Sequence, residues 1–159
     1  MDDLITLTDV GGITQFRSGG RVTAKGAELS GLMTWPGGAR LRASLSHQHL
    51  DGEDGRPANS PRWLGKLHYS TPLPWHGVSL GYELLYDGER RAMDGSSVDA
   101  YWLSNLILRG DRWAKGLEVS LGLYNLFNTR YAHPASDSNW QNSLEQDGRA
   151  LRLRFDYRF

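Results

Sequence analysis

Leu151-Arg152-Leu153-Arg154-Phe155-Asp156-Tyr157-Arg158-Phe159 closes the chain, and every second residue in it is apolar. In an extended backbone successive side chains point to opposite faces. Leu151, Leu153, Phe155, Tyr157 and Phe159 therefore share one face, and Arg152, Arg154, Asp156 and Arg158 share the other. As a helix, at about 100° per residue, the five apolar groups would scatter around the axis. The segment reads as a strand with one apolar and one charged side.

The same alternation recurs upstream. It runs through Ala39, Leu41, Ala43 and Leu45, then Trp63, Gly65, Leu67 and Tyr69, then Val78, Leu80, Tyr82, Leu84 and Tyr86, then Leu117, Val119, Leu121 and Leu123. Ala27–Trp35 fits with Leu32 as a misfit. Val98–Arg109 reads as a strand of open facing, since Leu103 and Ile107 share a side with Asn105 and Arg109. A short strand, Leu4–Thr8, opens the chain. The expected fold is all-β: an antiparallel up-and-down meander of about eight long strands, with free edges at the first and last.

The connections alternate in length. Short ones are expected at Pro36–Gly38, Pro72–Gly77 and Gly110–Lys115, and long ones near Asp9–Gly20, Leu50–Ser60, Asp87–Ser97 and Thr129–Gly148. A meander sends short links to one rim and long links to the other, as outer-membrane barrels do. Gly116–Asn128, read as one strand, would extend about 43 Å at roughly 3.3 Å per residue. Tilted, that covers an apolar band of about 25 Å. Trp35, Trp63, Trp75 and Trp113 fall at or near strand ends, where an interfacial aromatic girdle would lie.

Composition narrows the function classes. Lys plus Arg number 18 and Asp plus Glu 18, so no basic excess points to nucleic acid. The absence of cysteine excludes disulfides, thiolate metal sites and cysteine nucleophiles. No apolar run approaches the roughly 18 residues of a membrane helix. Met1-Asp2-Asp3 opens without a basic and then apolar segment, so no secretory signal is expected here. No nucleophile elbow or phosphate loop is present, and the expectation is a protein without enzyme activity or cofactor.

With these strands goes a set of motifs. Tyr124-Asn125-Leu126-Phe127-Asn128, then Arg130-Tyr131, Pro134-Ala135-Ser136, Gln146-Asp147-Gly148-Arg149 and Tyr157-Arg158-Phe159 resemble the end of the barrel of TonB-dependent outer-membrane receptors. Asp3-Leu4-Ile5, Lys25-Gly26-Ala27-Glu28-Leu29, and Asn59-Ser60-Pro61 with Gly65-Lys66-Leu67 are similar to earlier barrel segments of that family. The resemblance implies that residues 1–159 form the C-terminal portion of such a barrel, its plug domain and earlier strands lying elsewhere. It implies a place in the outer membrane of a Gram-negative cell and a part in the uptake of a scarce ligand such as a ferric siderophore. The implied partners are outer-membrane lipid, the rest of the barrel and plug, and the assembly machinery through the last strand. TonB itself would be met only through segments absent here, and nucleic acid is not among the partners.

Candidate residues follow. Leu151, Leu153, Phe155, Tyr157 and the terminal Phe159 resemble the outer-membrane assembly signal, which strand addition would read. The Thr129–Gly148 connection carries Arg130, Tyr131, His133, Trp140 and Gln141, side chains able to stack on or pair with a ligand. Arg40, Arg42, Lys66, His68, Arg152, Arg154 and Arg158 against Glu83, Glu118 and Asp156 suggest a charged lumen, whose groups hydrate it or meet a plug rather than bind ligand. His47-x-His49 supplies two imidazoles without a third ligand, and Asp51, Glu53 and Asp54 lack calcium-loop spacing. Two rivals differ in class: a complete small eight-stranded barrel acting as an anchor or adhesin, and a soluble lipocalin-like binding module. The first would need a longer opening strand; the second would need an apolar interior and would leave Arg152, Arg154 and Arg158 outside.

Overall fold

The computed structural model describes residues 5–18, 21–52, 56–75, 77–136 and 138–159. Its strands are β1 (Ile5–Val10), β2 (Ile13–Ser18), β3 (Val22–Thr34), β4 (Arg40–Gly52), β5 (Trp63–Pro72) and β6 (Val78–Asp87). There follow β7 (Arg90–Arg91), β8 (Ser97–Val98), β9 (Tyr101–Ala114), β10 (Leu117–Tyr124), β11 (Ala132–Pro134), β12 (Ser143–Glu145) and β13 (Ala150–Tyr157). One seven-stranded sheet, ordered β13-β10-β9-β6-β5-β4-β3, holds the long strands, and every neighbouring pair is antiparallel. The remaining strands form three two-stranded hairpins.

The all-β meander expected from the alternation is what the chain adopts, with two differences in detail. The opening strand does not join the main sheet: β1 pairs with β2. The stretch Asp9–Gly20, expected as a long connection, holds β2 and a tight turn at Gly11 and Gly12, both at positive φ (65° and 83°). Two such residues give the primed turn whose twist matches a hairpin, and only a side chain without Cβ takes that backbone freely. Leu4 lies outside the described residues. The second difference is the end of β10, which stops at Tyr124 rather than Asn128, for a reason given below.

Within the seven-stranded sheet the rims are sorted. Connections 35–39, 73–77 and 115–116 leave from one rim, and 53–62, 88–100 and 125–149 from the other. The hairpins β7–β8 and β11–β12 sit inside the last two long connections, where the apolar alternation is too brief to announce a strand.

Register settles facing, because residues directly opposite each other share a face. One row reads Leu32, Arg42, His68, Glu83 and Asn105; the next reads Gly31, Ala43, Leu67, Leu84 and Ser104. Leu121 pairs with Leu108 and Leu153, and Val119 with Phe155. Most apolar members of the seven strands thus fall on one side, with Leu32, Leu64, Leu85, Leu103 and Ile107 on the other. β9 resolves in the same way: Trp102, Leu106 and Leu108 lie on the apolar face, and Leu103, Asn105, Ile107 and Arg109 on the charged one. Ile107 is accommodated there because both its neighbours, Gly81 and Gly122, lack side chains. Ser104 is accommodated opposite because the Tyr82 hydroxyl lies 3.1 Å from its Oγ. A hollow of about 590 Å³, bordered by Arg40, Arg42, His68, Ser70 and Glu83, lies on the charged side, which is the concave one.

The apolar face has no protein core to cover it. Among the described residues the buried hydrophobic ones are Ala92, Val98 and Ala135, all in the long connections, while Leu29, Leu45, Leu121, Leu153 and Phe155 are exposed. An apolar surface spread over seven strands far exceeds the few hundred Å² a protein in water leaves bare. Hydrocarbon removes that conflict. An apolar exterior with a charged interior also inverts the lipocalin arrangement. Aromatic residues edge the apolar band on both sides: Trp63, Tyr86 and Trp102 toward the long connections, and Trp35, Trp75 and Trp113 toward the short turns. Tyr86 and Trp102 are in contact at 4.5 Å between centroids, and Trp35 meets Tyr69 edge-on at 6.5 Å.

Facing yields a sharp expectation. Leu121→Arg places a cation against lipid and should cost about 2–4 kcal/mol in a lipid-refolding titration, whereas Glu118→Gln, on the concave side, should cost much less. Equal losses would contradict the assignment.

Candidate functional site

The rim with long connections is built from the end of β10 outward. Alternation alone would carry β10 on to Asn128, but Asn125 takes φ 48° and Asn128 φ 55°. Asparagine enters this left-handed region more readily than other residues with a Cβ, because its short amide can bond to nearby backbone. Asn125 does so: its Nδ2 donates to the Thr129 carbonyl at 2.9 Å, and its Oδ1 accepts from the Thr129 N–H at 2.8 Å. The side chain imitates a strand partner and ends the real strand. Asn128 Oδ1 accepts from the Arg149 N–H at 2.9 Å, so the two roots of the 125–149 connection are clipped together. A Cβ on Gly148 would stand 2.6 Å from that oxygen.

A polar chain continues from this clip into the sheet. The Asn125 N–H donates to Asn105 Oδ1 at 2.9 Å, Asn105 Nδ2 donates to Glu83 Oε2 at 3.1 Å, and Glu83 Oε1 lies 3.3 Å from His68 Nδ1. Asn105 and Asn125 are buried, and each is bonded, as buried amides must be.

Tyr101, the first residue of β9, gathers the outer cluster. Its ring lies 4.5 Å from Tyr131 and 6.0 Å from His133, and its hydroxyl is 2.9 Å from His133 Nε2. The same hydroxyl donates to Asp87 Oδ2 at 3.2 Å, and Asp87 is ion-paired with Arg90. A carboxylate only accepts, so the Tyr101 oxygen is left to accept from Nε2–H of His133. Burial first, and then the Arg90 charge, holds the His133 pKa below its ordinary value of 6.5.

Lateral bonds join the three long connections. Arg56 donates to the Ser60 and Glu89 carbonyls at 2.6 and 2.9 Å, and the Asn59 N–H to the Arg91 carbonyl at 2.8 Å. Asn142 Nδ2 donates to Asp94 Oδ2 at 2.5 Å. Serine hydroxyl and backbone donors from Ser96 keep the Asp94 carboxyl low in pKa.

Of the ligand-loop candidates, the structure brings Tyr131 and His133 together, with Arg130 beside Tyr131 on a hollow of about 270 Å³ that Asp99 and Glu145 also border. Trp140 and Gln141 sit apart and fully or largely exposed in the stretch between β11 and β12. Sequence reasoning missed Tyr101, Asp87 and Arg90. The one signal for them was the pairing of Asp87 with Tyr101 across β6 and β9, legible only once register is known. Leu151, Leu153, Phe155 and Tyr157 stand exposed on the convex face, and Phe159 is fully exposed at the short-turn rim, where the Arg158 N–H donates to the Gly116 carbonyl. His47 meets Trp63 with the rings tilted by 50° and centroids 4.3 Å apart. Glu53 and Asp54 lie outside the described residues.

A convex apolar band edged by aromatics, a charged concave face and one rim of long tied connections define part of the wall of an outer-membrane barrel. The model of the family "TonB dependent receptor-like, beta-barrel" matches residues 1–126, and the chain belongs to that family, whose members are transport receptors of the Gram-negative outer membrane. The ferric-catecholate import receptor Fiu from E. coli is similar in structure, with TM-score 0.73 and 18% identity, over 99% of this chain and 24% of that one. The FrpB iron transporter from Neisseria meningitidis has TM-score 0.76 and 17% identity, over 99% of this chain and 27% of its own. BauA, the ferric preacinetobactin receptor from Acinetobacter baumannii, has TM-score 0.71 and 19% identity, over 94% and 24%. The chain thus spans about a quarter of the length of these receptors. No curated protein sequence matches it significantly.

The lowered His133 pKa sets a pH dependence. The folded cluster favours the neutral ring, so the folded rim binds fewer protons than the unfolded chain does as pH drops below 6.5. The stabilisation is complete above 6.5 and is lost as pH falls through the lowered folded value. Hydrogen exchange of residues 131–133 should therefore quicken between about pH 7.5 and about pH 5 relative to β6, after correction for intrinsic exchange. His133→Gln should abolish that dependence.

Proposed function

We propose that this chain forms part of the barrel wall of an outer-membrane receptor that takes up a scarce iron chelate of the ferric-siderophore class. The observation that carries this reading is the sorting of the sheet: convex side for lipid, concave side for water, and one rim of tied connections bearing Tyr101, Tyr131, His133 and Arg130. Rings and a guanidinium at the mouth of a polar lumen suit an anionic chelate that presents flat aromatic rings, through stacking and ion pairing. Fiu, FrpB and BauA are named as iron or ferric-ligand importers, which supports the ligand class. In the protein carrying this chain, Tyr131→Ala and Arg130→Ala should each weaken ferric-siderophore binding roughly three- to tenfold. Trp140→Ala should change it little. Iron-limited uptake that is indifferent to deletion of the gene would sink the reading.

The last strand has a second role in this proposal. β13 pairs with β10 on one edge, and its other edge has no partner among the described residues. Strand addition by the assembly machinery would use that edge for backbone pairing and read Leu151, Leu153, Phe155, Tyr157 and Phe159 as alternate side chains. Removing Phe159 from the protein carrying this chain should lower the amount assembled in the outer membrane several-fold by quantitative fractionation. Ligand affinity per assembled molecule should be unchanged, because Phe159 lies at the rim opposite the aromatic cluster.

A further inference from the structure

We propose that Arg40 and Arg42 form a carboxylate-binding subsite on the concave wall, suited to a small polycarboxylate. The inference rests on the reading of the concave face as a lumen and names a ligand class for it. Its basis is an inventory of charge. Among the described residues, the acids on the concave face of β6, β10 and β13 are all engaged: Glu83 with His68 and Asn105, Asp87 with Arg90, Glu118 with Arg109 at 2.6 Å, and Asp156 with Arg154 at 2.8 Å. The Arg152 guanidinium lies 5.1 Å from the Tyr124 ring. Arg158, beyond the end of β13, adds its charge beside Asp156. Within the paired strands of this face, Arg40, Arg42 and Lys66 are left over among the described residues, and all three fall on the adjacent strands β4 and β5. Glu28, the free acid of this face, stands on edge strand β3, opposite Ser46 and away from the arginine pair.

Two of the three line a cavity rather than a flat wall, and Lys66 stands one row further along, opposite Ser44. Arg40 and Arg42 border the hollow of about 590 Å³ together with Ser70, His68 and Glu83, a volume within the range of small-molecule sites. Two residues apart on one strand face, the arginines are about 6.6 Å apart at their Cα atoms. That spacing offers one planar fork to each of two carboxylates on the same molecule, and an Arg–carboxylate pair of this kind is bidentate and charge-assisted. Glu83 is bonded to His68 and Asn105 and makes no ion pair with either arginine, so its one negative charge leaves the two forks unoccupied and the hollow net positive.

The probe is citrate, titrated calorimetrically into the whole protein carrying this chain in detergent micelles, with acetate and trimethyl citrate as comparisons. Saturable citrate binding is expected, weakened at least about tenfold by Arg40→Gln with Arg42→Gln and roughly threefold by Lys66→Gln, with unchanged far-UV circular dichroism. Arg40→Lys with Arg42→Lys, which keeps charge and loses the fork, should recover less than half of the lost binding energy. Absence of saturation by citrate, equal binding of trimethyl citrate, or unaltered affinity in the double glutamine variant would overturn the proposal. Full recovery by the lysines would overturn its bidentate basis. The titration needs no transport, so citrate binding together with unaltered iron uptake in cells lacking the protein would retain this subsite and remove the receptor reading.

Discussion

Backbone hydrogen bonding is the constraint from which the rest of this structure follows. In hydrocarbon no water replaces a missing partner, and each unpaired N–H or C=O costs several kcal/mol. The long strands therefore pair over eight or more residues at five of the six junctions, and over six with one register shift between β9 and β10, and the register that satisfies the backbone also fixes which side chains meet lipid. A slip of one residue in β4 would carry Arg40 and Arg42 to the convex side and Leu41 to the concave one. Ser104, a polar group on the convex face, is satisfied locally by Tyr82.

This coupling explains how much could be read from the chain alone. Period two in Leu151–Phe159 and Val78–Tyr86 states both a strand and its facing, because lipid on one side and water on the other give the two faces opposite chemistry. Val98–Arg109 resisted facing because Ile107 lies inward between Gly81 and Gly122, a pairing distant in sequence. The end of β10 was overrun for a different reason. Leu126 and Phe127 keep the strand-like composition going, while the stop is made by the Asn125 amide bonding to Thr129. The hairpin β1–β2 was half legible: β1 alternates, but the Gly11-Gly12 turn sits in a stretch whose composition looks like loop.

The candidate site was legible as a region and not as a set of residues. Arg130, Tyr131 and His133 draw notice by type, yet what makes them a cluster is Tyr101, contributed by the far end of another strand. Trp140 has the same chemistry as its neighbours in sequence and none of their contacts. Among the described residues the rim is held less by apolar burial, which Ala92, Val98 and Ala135 supply, than by directed bonds such as Arg56 to Glu89 and Asn142 to Asp94. Such a rim can be polar enough to face water while remaining shaped enough to meet a ligand. The Asn105–Asn125 bond ties it to the charged wall, so the mouth and the lumen share one hydrogen-bonded frame.

Direction of travel decides what this sheet can be part of. Seven strands in an unbroken antiparallel order leave both edges, β3 and β13, running the same way. They cannot close on each other with antiparallel pairing, so a wholly antiparallel small barrel made of this sheet alone is excluded by parity rather than by size. A second copy in the same orientation fails in the same way, since it would again present a parallel edge. Antiparallel closure requires an odd number of additional strands between the two edges. A sheet that matches about a quarter of each large receptor barrel, lacks a core of its own and has edges of like direction is a sector of a wall, and its stability is bound to whatever strands complete the circle.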